Sequence, residues 1–127
     1  MQAEQRMSDD ASEREAVART IQIYVDGGKS GKGDDMKPAF HSGATIYGYI
    51  GQELFGGPIQ SLFDWNDRNG PAIELTSNIT NIDIQGTIAT ARVELDNWTG
   101  HKFTDMFTLL KTDGEWKIVS KVFYLHG

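Results

Sequence analysis

The sequence has 127 residues, with 12 basic and 18 acidic side chains and a formal net charge of −6. This length predicts a single domain over residues 1–127, and the negative charge argues against nucleic acid as a partner because an acidic surface repels phosphates. Cysteine is absent, which excludes disulfides, thiol nucleophiles and zinc–thiolate sites, and the sequence has no run of about 18 apolar residues that could cross a membrane.

The first predicted element is an amphipathic helix. Residues 1–8 are polar, and we expect them to form a flexible tail. They lack the basic and apolar stretches of a secretory signal, which predicts a cytoplasmic location. Four side chains then recur at helical spacing: Val17, Ile21, Tyr24 and Val25. This spacing predicts the buried face of a helix, which ends at the glycine-rich residues 27–33.

Two further helices and one strand are predicted in the first half of the chain. Asp34 begins a short helix that runs to about His41, because an acidic residue favours a helix N-terminus. Residues 44–50 contain threonine, isoleucine and tyrosine, which favour a strand. Pro58 suits the first position of a third helix, which ends at residues 69–71.

The rest of the chain alternates between apolar and polar residues, which predicts strands at roughly 73–84, 87–97, 101–111 and 115–125. Because the helices precede these antiparallel strands, we expect an α+β fold in which three N-terminal helices pack on one face of a sheet.

Turn residues predict how the last two strands pair. Asp113-Gly114 favours a two-residue hairpin. An uninterrupted ladder from this turn places Lys121 on the outer face of the sheet, whereas a slip of one residue would place it inside. The predicted pairs are Lys111–Trp116, Phe107–Ser120, Asp105–Val122 and Phe103–Tyr124.

The preceding hairpin turns near residues 98–100, and a three-residue loop best keeps the apolar alternation of that strand on one face. The predicted pairs are Asn97–His101, Leu95–Phe103 and Val93–Asp105. The inner face then carries Phe103, Phe107 and Tyr124 around Asp105, with Asn97 and His101 at one end.

Asp105 is the strongest candidate for chemistry. A carboxylate on an apolar face needs a hydrogen bond, a proton or a ligand, and burial raises its pKa. Two interpretations stay open: Asp105 anchors or protonates a ligand, or it bonds a helix amide or a buried tyrosine or tryptophan. His101 lies roughly 13 Å away along the strand, at about 3.3 Å per residue, so that one small ligand could reach both side chains.

Several outer-face positions of the last strands are also apolar. They are Met106, Leu110, Val119, Phe123 and Leu125. A strand that is apolar on both faces is covered on both faces, and the helices cover only one. We therefore predict a homodimer through the outer face of the sheet.

Several motifs resemble those of a known family. They are residues 97–105 (Asn-Trp-Thr-Gly-His-Lys-Phe-Thr-Asp), 109–111, 113–119, 121–123, and the earlier segments 24–27, 36–41 and 63–65. Over residues 15–126 the chain resembles the putative lumazine-binding family of the nuclear transport factor 2-like superfamily. The resemblance implies a curved, mostly antiparallel sheet around a long helix, a cone-shaped pocket and usually a homodimer. It implies no single activity, because the superfamily includes isomerases, dehydratases, cyclases and binders.

The leading functional hypothesis is a small-molecule binding protein with an aromatic cone pocket, and the family resemblance suggests a pteridine or flavin-like ligand. Flat ligands stack on aromatic side chains and use a few polar groups. The predicted ligand-binding residues are Tyr47, Tyr49, Trp65, Asn97, Phe103, Phe107 and Tyr124.

Two alternatives stay open. The first is a cofactor-independent isomerase or dehydratase in which Asp105 and His101 transfer a proton. The second is a protein-interaction module with an exposed apolar patch. We expect no cofactor and no metal, because the three histidines are far apart in sequence and no thiolate is present.

Overall fold

The computed structural model describes residues 2–127, with side chains from Asp10 onward. Three helices, a short 3₁₀ turn and six strands form it. The helices are α1 (Gln2–Ser30), α2 (Gly33–Met36) and α3 (Gln60–Asn69), and the 3₁₀ turn is Lys37–Ala39. The flexibility of residues 1–8 stays a prediction. The backbone of residues 2–8 belongs to α1, whereas residue 1 and the side chains of residues 2–9 lie outside the part of the chain that the structure describes.

One curved sheet of six strands supports the helices. The strands are β1 (Phe40–Ile50), β2 (Glu53–Pro58), β3 (Thr76–Gln85), β4 (Ile88–Trp98), β5 (His101–Thr112) and β6 (Glu115–Leu125). Their order is β2-β1-β6-β5-β4-β3, and every pair is antiparallel except β1 with β6. This arrangement confirms the α+β fold with three helices on a mostly antiparallel sheet.

The long helix α1 packs on the sheet through the face that its sequence predicts. Val17, Ile21, Tyr24 and Val25 are each at most 1% exposed. Its glycine-rich end packs closely, since a Cβ on Gly28 would lie 2.9 Å from the Trp98 ring. Among residues 2–127, no helix is long and apolar enough to cross a bilayer.

The segment between the first and third helices differs from the prediction in two places. The predicted second helix ends early, because α2 passes into the 3₁₀ turn and His41 already lies in β1. Strand β2 was not predicted, and Pro58 ends it rather than opening α3. Two glycines within β2 concealed it, because glycine is a weak strand former.

A β-bulge changes the pairing of β5 with β6. The pairs Lys111–Trp116 and Leu109–Ile118 are confirmed, but the register then shifts by one residue at Val119. The predicted pairs Phe107–Ser120, Asp105–Val122 and Phe103–Tyr124 are therefore wrong. The pairs found are Phe107–Lys121, Asp105–Phe123 and Phe103–Leu125. The shift turns Lys121 to the inner face of the sheet, where it is 4% exposed.

A second irregularity lies where β4 turns into β5. The pairs Leu95–Phe103 and Val93–Asp105 are confirmed, but the register shifts before the turn and Trp98, not Asn97, pairs with His101. Asn97 has a φ of 60°, in the left-handed region that a non-glycine residue adopts mainly at turns and bulges. The extra residue turns Trp98 inward, where its side chain is 2% exposed.

Candidate functional site

A narrow cavity lies between the inner face of the sheet and helices α1 and α3. Six aromatic side chains line it: Tyr24, Phe55, Trp65, Trp98, Phe103 and Phe123. Ile46, Ile50, Leu62 and Lys121 complete the wall. The empty volume, including the mouth, is about 370 Å³, but the centre of a water molecule can occupy only about 30 Å³ of it. The cavity is therefore narrow.

Three polar side chains meet in the interior at this cavity. Asp105, from the middle of β5, is completely buried. The Tyr24 hydroxyl donates a hydrogen bond of 2.6 Å to Asp105 Oδ2. Lys121 Nζ lies 3.6 Å from Asp105 Oδ1. Helix α1, strand β5 and strand β6 thus each supply one member, and the bulge at Val119 is what brings in the lysine.

Burial dominates the electrostatics of these groups. Desolvation raises the pKa of Asp105, and the nearby Lys121 ammonium and Tyr24 hydroxyl partly oppose it. Desolvation likewise lowers the pKa of Lys121, with Asp105 as the opposing influence. The pKa of Tyr24 is raised well above its usual value by burial and by the Asp105 charge. Tyr24 therefore keeps its proton at neutral pH and acts as the donor.

The Lys121 amine has an aromatic environment. Its Nζ lies 4.8 Å from the centre of the Phe123 ring and 5.5 Å from that of Tyr24. Ring faces attract a cation, but they do not replace the hydrogen bonds that an ammonium group makes in water. The distance to Asp105 also exceeds the usual charge-assisted hydrogen bond of about 2.7–2.9 Å. The amine is therefore held loosely.

Three buried polar atoms lack a hydrogen-bond partner within residues 10–127: Asp105 Oδ1, Trp98 Nε1 and Asn66 Oδ1. Native proteins seldom leave such atoms unsatisfied, and those that remain often mark a functional site or a bound molecule. Trp98 lines the cavity and Asp105 contacts the cavity lysine. The cavity wall therefore includes a residue with an unpartnered N–H donor, Trp98.

The predicted site residues divide into two groups. Trp65 and Phe103 line the cavity. Asp105 lies behind the wall, bonded to Tyr24 and paired with Lys121, which agrees with the interpretation that it bonds a buried tyrosine. Phe107 is buried in the core, with its ring centre 5.5 Å from that of Tyr24, and supports the site from beneath.

The remaining predicted residues lie away from the cavity. Tyr47, Tyr49 and Tyr124 are on the outer face of the sheet and are 45%, 61% and 64% exposed, which corrects their assignment to the pocket wall. For Tyr124 the cause is the bulge in β6, because the shifted register turns its side chain outward. Asn97 and His101 are exposed at the β4–β5 turn and do not line the cavity.

Three important cavity residues were not predicted from the sequence: Lys121, Trp98 and Tyr24. Lys121 and Trp98 were assigned elsewhere because each follows a bulge. Tyr24 was assigned to the helix face without a role. The pairing of Tyr24 with Asp105 could have been predicted, since a buried tyrosine hydroxyl needs a hydrogen-bond partner and Asp105 was the one carboxylate expected on the facing wall. Within the described residues, no cluster of His, Cys, Asp and Glu could hold a metal ion.

Comparisons with known proteins agree with this architecture. A family described as "Putative lumazine-binding" matches residues 12–124. A protein named aldolase FrzH, from Cladobotryum sp, is 34% identical over 115 residues, which are 90% of this chain and 92% of that protein.

Two solved structures are also similar. One is a nuclear transport factor 2-like protein of unknown function from Methylobacillus flagellatus KT. It is 51% identical, with a TM-score of 0.89 over 91% of this chain and 94% of that chain. The other, of the same description and from Shewanella baltica OS155, is 43% identical, with a TM-score of 0.87 over 92% and 96%. The chain belongs to the putative lumazine-binding family and has the nuclear transport factor 2-like fold.

Proposed function

We propose that this protein binds a small, flat organic molecule with a carbonyl oxygen in the aromatic cavity. The observation that carries the proposal is the buried Lys121–Asp105 pair beside a cavity lined by six aromatic rings. Burying two charges costs several kcal/mol per ion (order of magnitude), and apolar side chains of similar size are often at least as stable. A pair retained at a cavity is therefore better explained by a ligand than by stability.

The lining defines the chemistry of the ligand. Aromatic walls favour a planar ring system. Lys121 can donate to a carbonyl oxygen, and the unpartnered Trp98 N–H can donate to a second acceptor. A pteridinedione such as lumazine, or the ring system of a flavin, has both features and agrees with the family name. The narrow cavity favours the smaller of these two rings.

Tryptophan fluorescence can test this proposal. Trp65 and Trp98 line the cavity, whereas Trp116 is bonded to Glu13 outside it. Titration of the W116F variant with lumazine and with riboflavin should give saturable quenching, because both remaining tryptophans then report on the cavity. The W65F variant should lose part of the signal. Linear quenching alone, as collisions with free dye produce, would contradict the proposal.

A second candidate is an enzyme that moves a proton next to a carbonyl group. Two observations favour it: an acid, an amine and a phenol converge at one point, and a relative of 34% identity is named an aldolase. The partner proposed for Asp105 then changes from His101 to Lys121, since His101 is exposed at the end of β5. Positioned groups of this kind serve general acid–base catalysis.

Proton exchange separates the enzyme from a binding protein. A panel of neutral ketones in D₂O, followed by NMR, should show deuterium entering at the carbon beside the carbonyl when the protein is present. The D105N variant should abolish the effect, and the Y49F variant on the outer face should retain it. Saturable binding without exchange would leave a binding protein that is no proton-transfer catalyst.

We also propose a homodimer through the outer face of the sheet. Neighbouring strands place exposed apolar side chains side by side there, as in the pairs Tyr47–Val122, Tyr49–Tyr124 and Met106–Val122. A contiguous apolar patch of this kind indicates an interaction site. A monomer in solution would instead favour the protein-interaction module, with this face open to another protein. The cytoplasmic location stays a prediction from the sequence.

A further inference from the structure

We propose that the Lys121 amine forms an imine with the carbonyl carbon of a neutral aldehyde or ketone that enters the aromatic cavity. This inference rests on the proposed function, because it requires that the cavity accepts a carbonyl compound. It goes further in assigning a covalent step to one atom, Lys121 Nζ, and in naming the substrate class.

The position of Lys121 meets the first requirement of such a step. Its side chain is 5% exposed and forms part of the cavity wall. Asp105 is its one carboxylate partner within residues 10–127, and the 3.6 Å separation leaves the amine free to approach a ligand. The flanking ring of Phe123, 4.8 Å from Nζ, gives the amine an apolar neighbour on the cavity wall.

The electronic state of the amine meets the second requirement. Only a neutral amine attacks a carbonyl, and enzymes obtain one by desolvating a lysine in an apolar pocket. Burial lowers the pKa of Lys121, which favours the neutral form of its amine. The other lysines of the chain are more exposed: Lys29, Lys32, Lys37, Lys102, Lys111 and Lys117.

Asp105 can handle the protons of the reaction. The nitrogen lone pair forms the N–C bond while the C=O π pair moves onto oxygen; one proton leaves nitrogen and one joins this oxygen, which gives the neutral carbinolamine. The carbinolamine oxygen then takes up a second proton and leaves as water with the C–O bonding pair, while the nitrogen lone pair forms the C=N bond and nitrogen loses its second proton. In sum, the amine and the carbonyl compound give the imine and one water. Asp105, whose pKa is raised by burial, can give and take these protons, and Tyr24 holds its carboxyl in place.

The charge balance of the site selects the substrate. Lys121 is the one charged side chain among the described residues that line the cavity, and Asp105 offsets it. The site therefore has no spare cation for a phosphate or carboxylate group. A protonated imine carries the same charge as the ammonium group that it replaces, so the pairing with Asp105 persists. The substrate class is thus an uncharged aldehyde or ketone on a flat, mostly apolar frame.

Reductive trapping of the unmodified protein tests the proposal. The protein is incubated with benzaldehyde and sodium cyanoborohydride at neutral pH, which converts an imine into a stable benzylamine, and peptide mass spectrometry locates the label. We expect Lys121 to be labelled several-fold faster than any other lysine, because the cavity holds the aldehyde beside its amine and a desolvated amine is more often neutral.

Matched variants connect the label to the site. The K121R variant keeps the positive charge beside Asp105 but cannot form the imine, so its other lysines should be labelled at the unchanged slow rate. The K111R variant is the control, since Lys111 also lies on a strand and pairs with a carboxylate, Glu13, at 2.6 Å, but lies outside the cavity. It should keep the fast label on Lys121. Saturating lumazine should block this label.

The outcomes separate this inference from the proposed function. If the labelling rate of each lysine instead rises with its side-chain exposure, and Lys121 is the slowest, the proposed imine is refuted. This result comes from the unmodified protein, so it holds even if K121R fails to fold. Saturable lumazine binding together with that labelling pattern would leave the proposed function standing. Absence of both binding and Lys121 labelling would refute the two together.

Discussion

The hydrogen bond from Tyr24 to Asp105 should be the strongest single polar contribution that the site makes to stability. The Y24F variant removes only the hydroxyl that donates to Asp105 Oδ2 at 2.6 Å in a fully buried setting. A hydrogen bond to a charged group contributes about 1.5–3 kcal/mol, and its loss leaves a buried acceptor unsatisfied. We therefore expect Y24F to lower the free energy of unfolding by about 2 kcal/mol, and the Tm by about 5–10 °C for a domain of this size.

A double-mutant cycle isolates the pair. Urea unfolding of wild type, Y24F, D105N and the double variant gives four free energies of unfolding. In the D105N background the tyrosine faces a neutral amide, so Y24F should cost about 1 kcal/mol less than in wild type. The Y49F variant is the control because Tyr49 lies on the opposite face of the sheet from Asp105, and it should stay within about 0.5 kcal/mol of wild type. If Y24F is as stable as Y49F, the hydrogen bond from Tyr24 to Asp105 does not stabilise the fold.

The cost of Y24F should also depend on pH. The hydrogen bond from Tyr24 lowers the pKa of Asp105, against the larger effect of burial, which raises it. Y24F therefore raises this pKa further, and the folded variant binds more protons than folded wild type. The free energy that Y24F costs must then grow as pH rises from about 4 through the raised pKa of Asp105. A cost that does not change with pH would show that the carboxyl is not the partner.

Three further outcomes follow from the geometry. K121M should lower the free energy of unfolding by about 3–5 kcal/mol because it leaves the Asp105 charge buried alone. The D105N/K121M variant should recover more than half of this loss in urea unfolding, and equal losses in the two variants would contradict the pairing. G48A should lower the free energy of unfolding by about 1–3 kcal/mol and weaken lumazine binding, since the added Cβ would lie 2.6 Å from the Phe123 ring. An unchanged Tm would contradict this prediction. V122E should convert the proposed dimer into a monomer in sedimentation analysis, and an unchanged mass would remove the outer face as its interface.

The predictable parts of the fold are those with regular periodicity. The buried face of α1 follows from the spacing of Val17, Ile21 and Tyr24, and all three are buried. The central pairing of β4 with β5 follows from alternation, and Asp105 lies opposite Val93 as expected. Both results depend on a period repeated over several turns or strand residues, which one irregular position does not disturb.

The unpredicted parts of the site depend on single inserted residues. One bulge residue reverses the side chains that follow it in the strand, so the extra Val119 exchanges Val122 and Tyr124 for Lys121 and Phe123 on the inner face. Asn97 has the same effect on Trp98. The residues that follow Val119 in β6 are apolar in both registers except for Ser120 and Lys121, and a lysine is normally assigned to the solvent face. Alternation alone therefore selected the wrong register.

The two bulges also explain why the site lies where it does. A regular ladder would place Lys121 in solvent and leave Asp105 buried without a cation, which is costly. The bulge in β6 supplies that cation, and the bulge in β4 turns Trp98 onto Tyr24 at 5.6 Å between ring centres, at the helix residue that bonds Asp105. Each irregularity breaks ladder hydrogen bonds and lowers stability locally. Two such losses that converge on one buried carboxylate are best explained by a function for the carboxylate and its lysine, since stability alone would favour an apolar core.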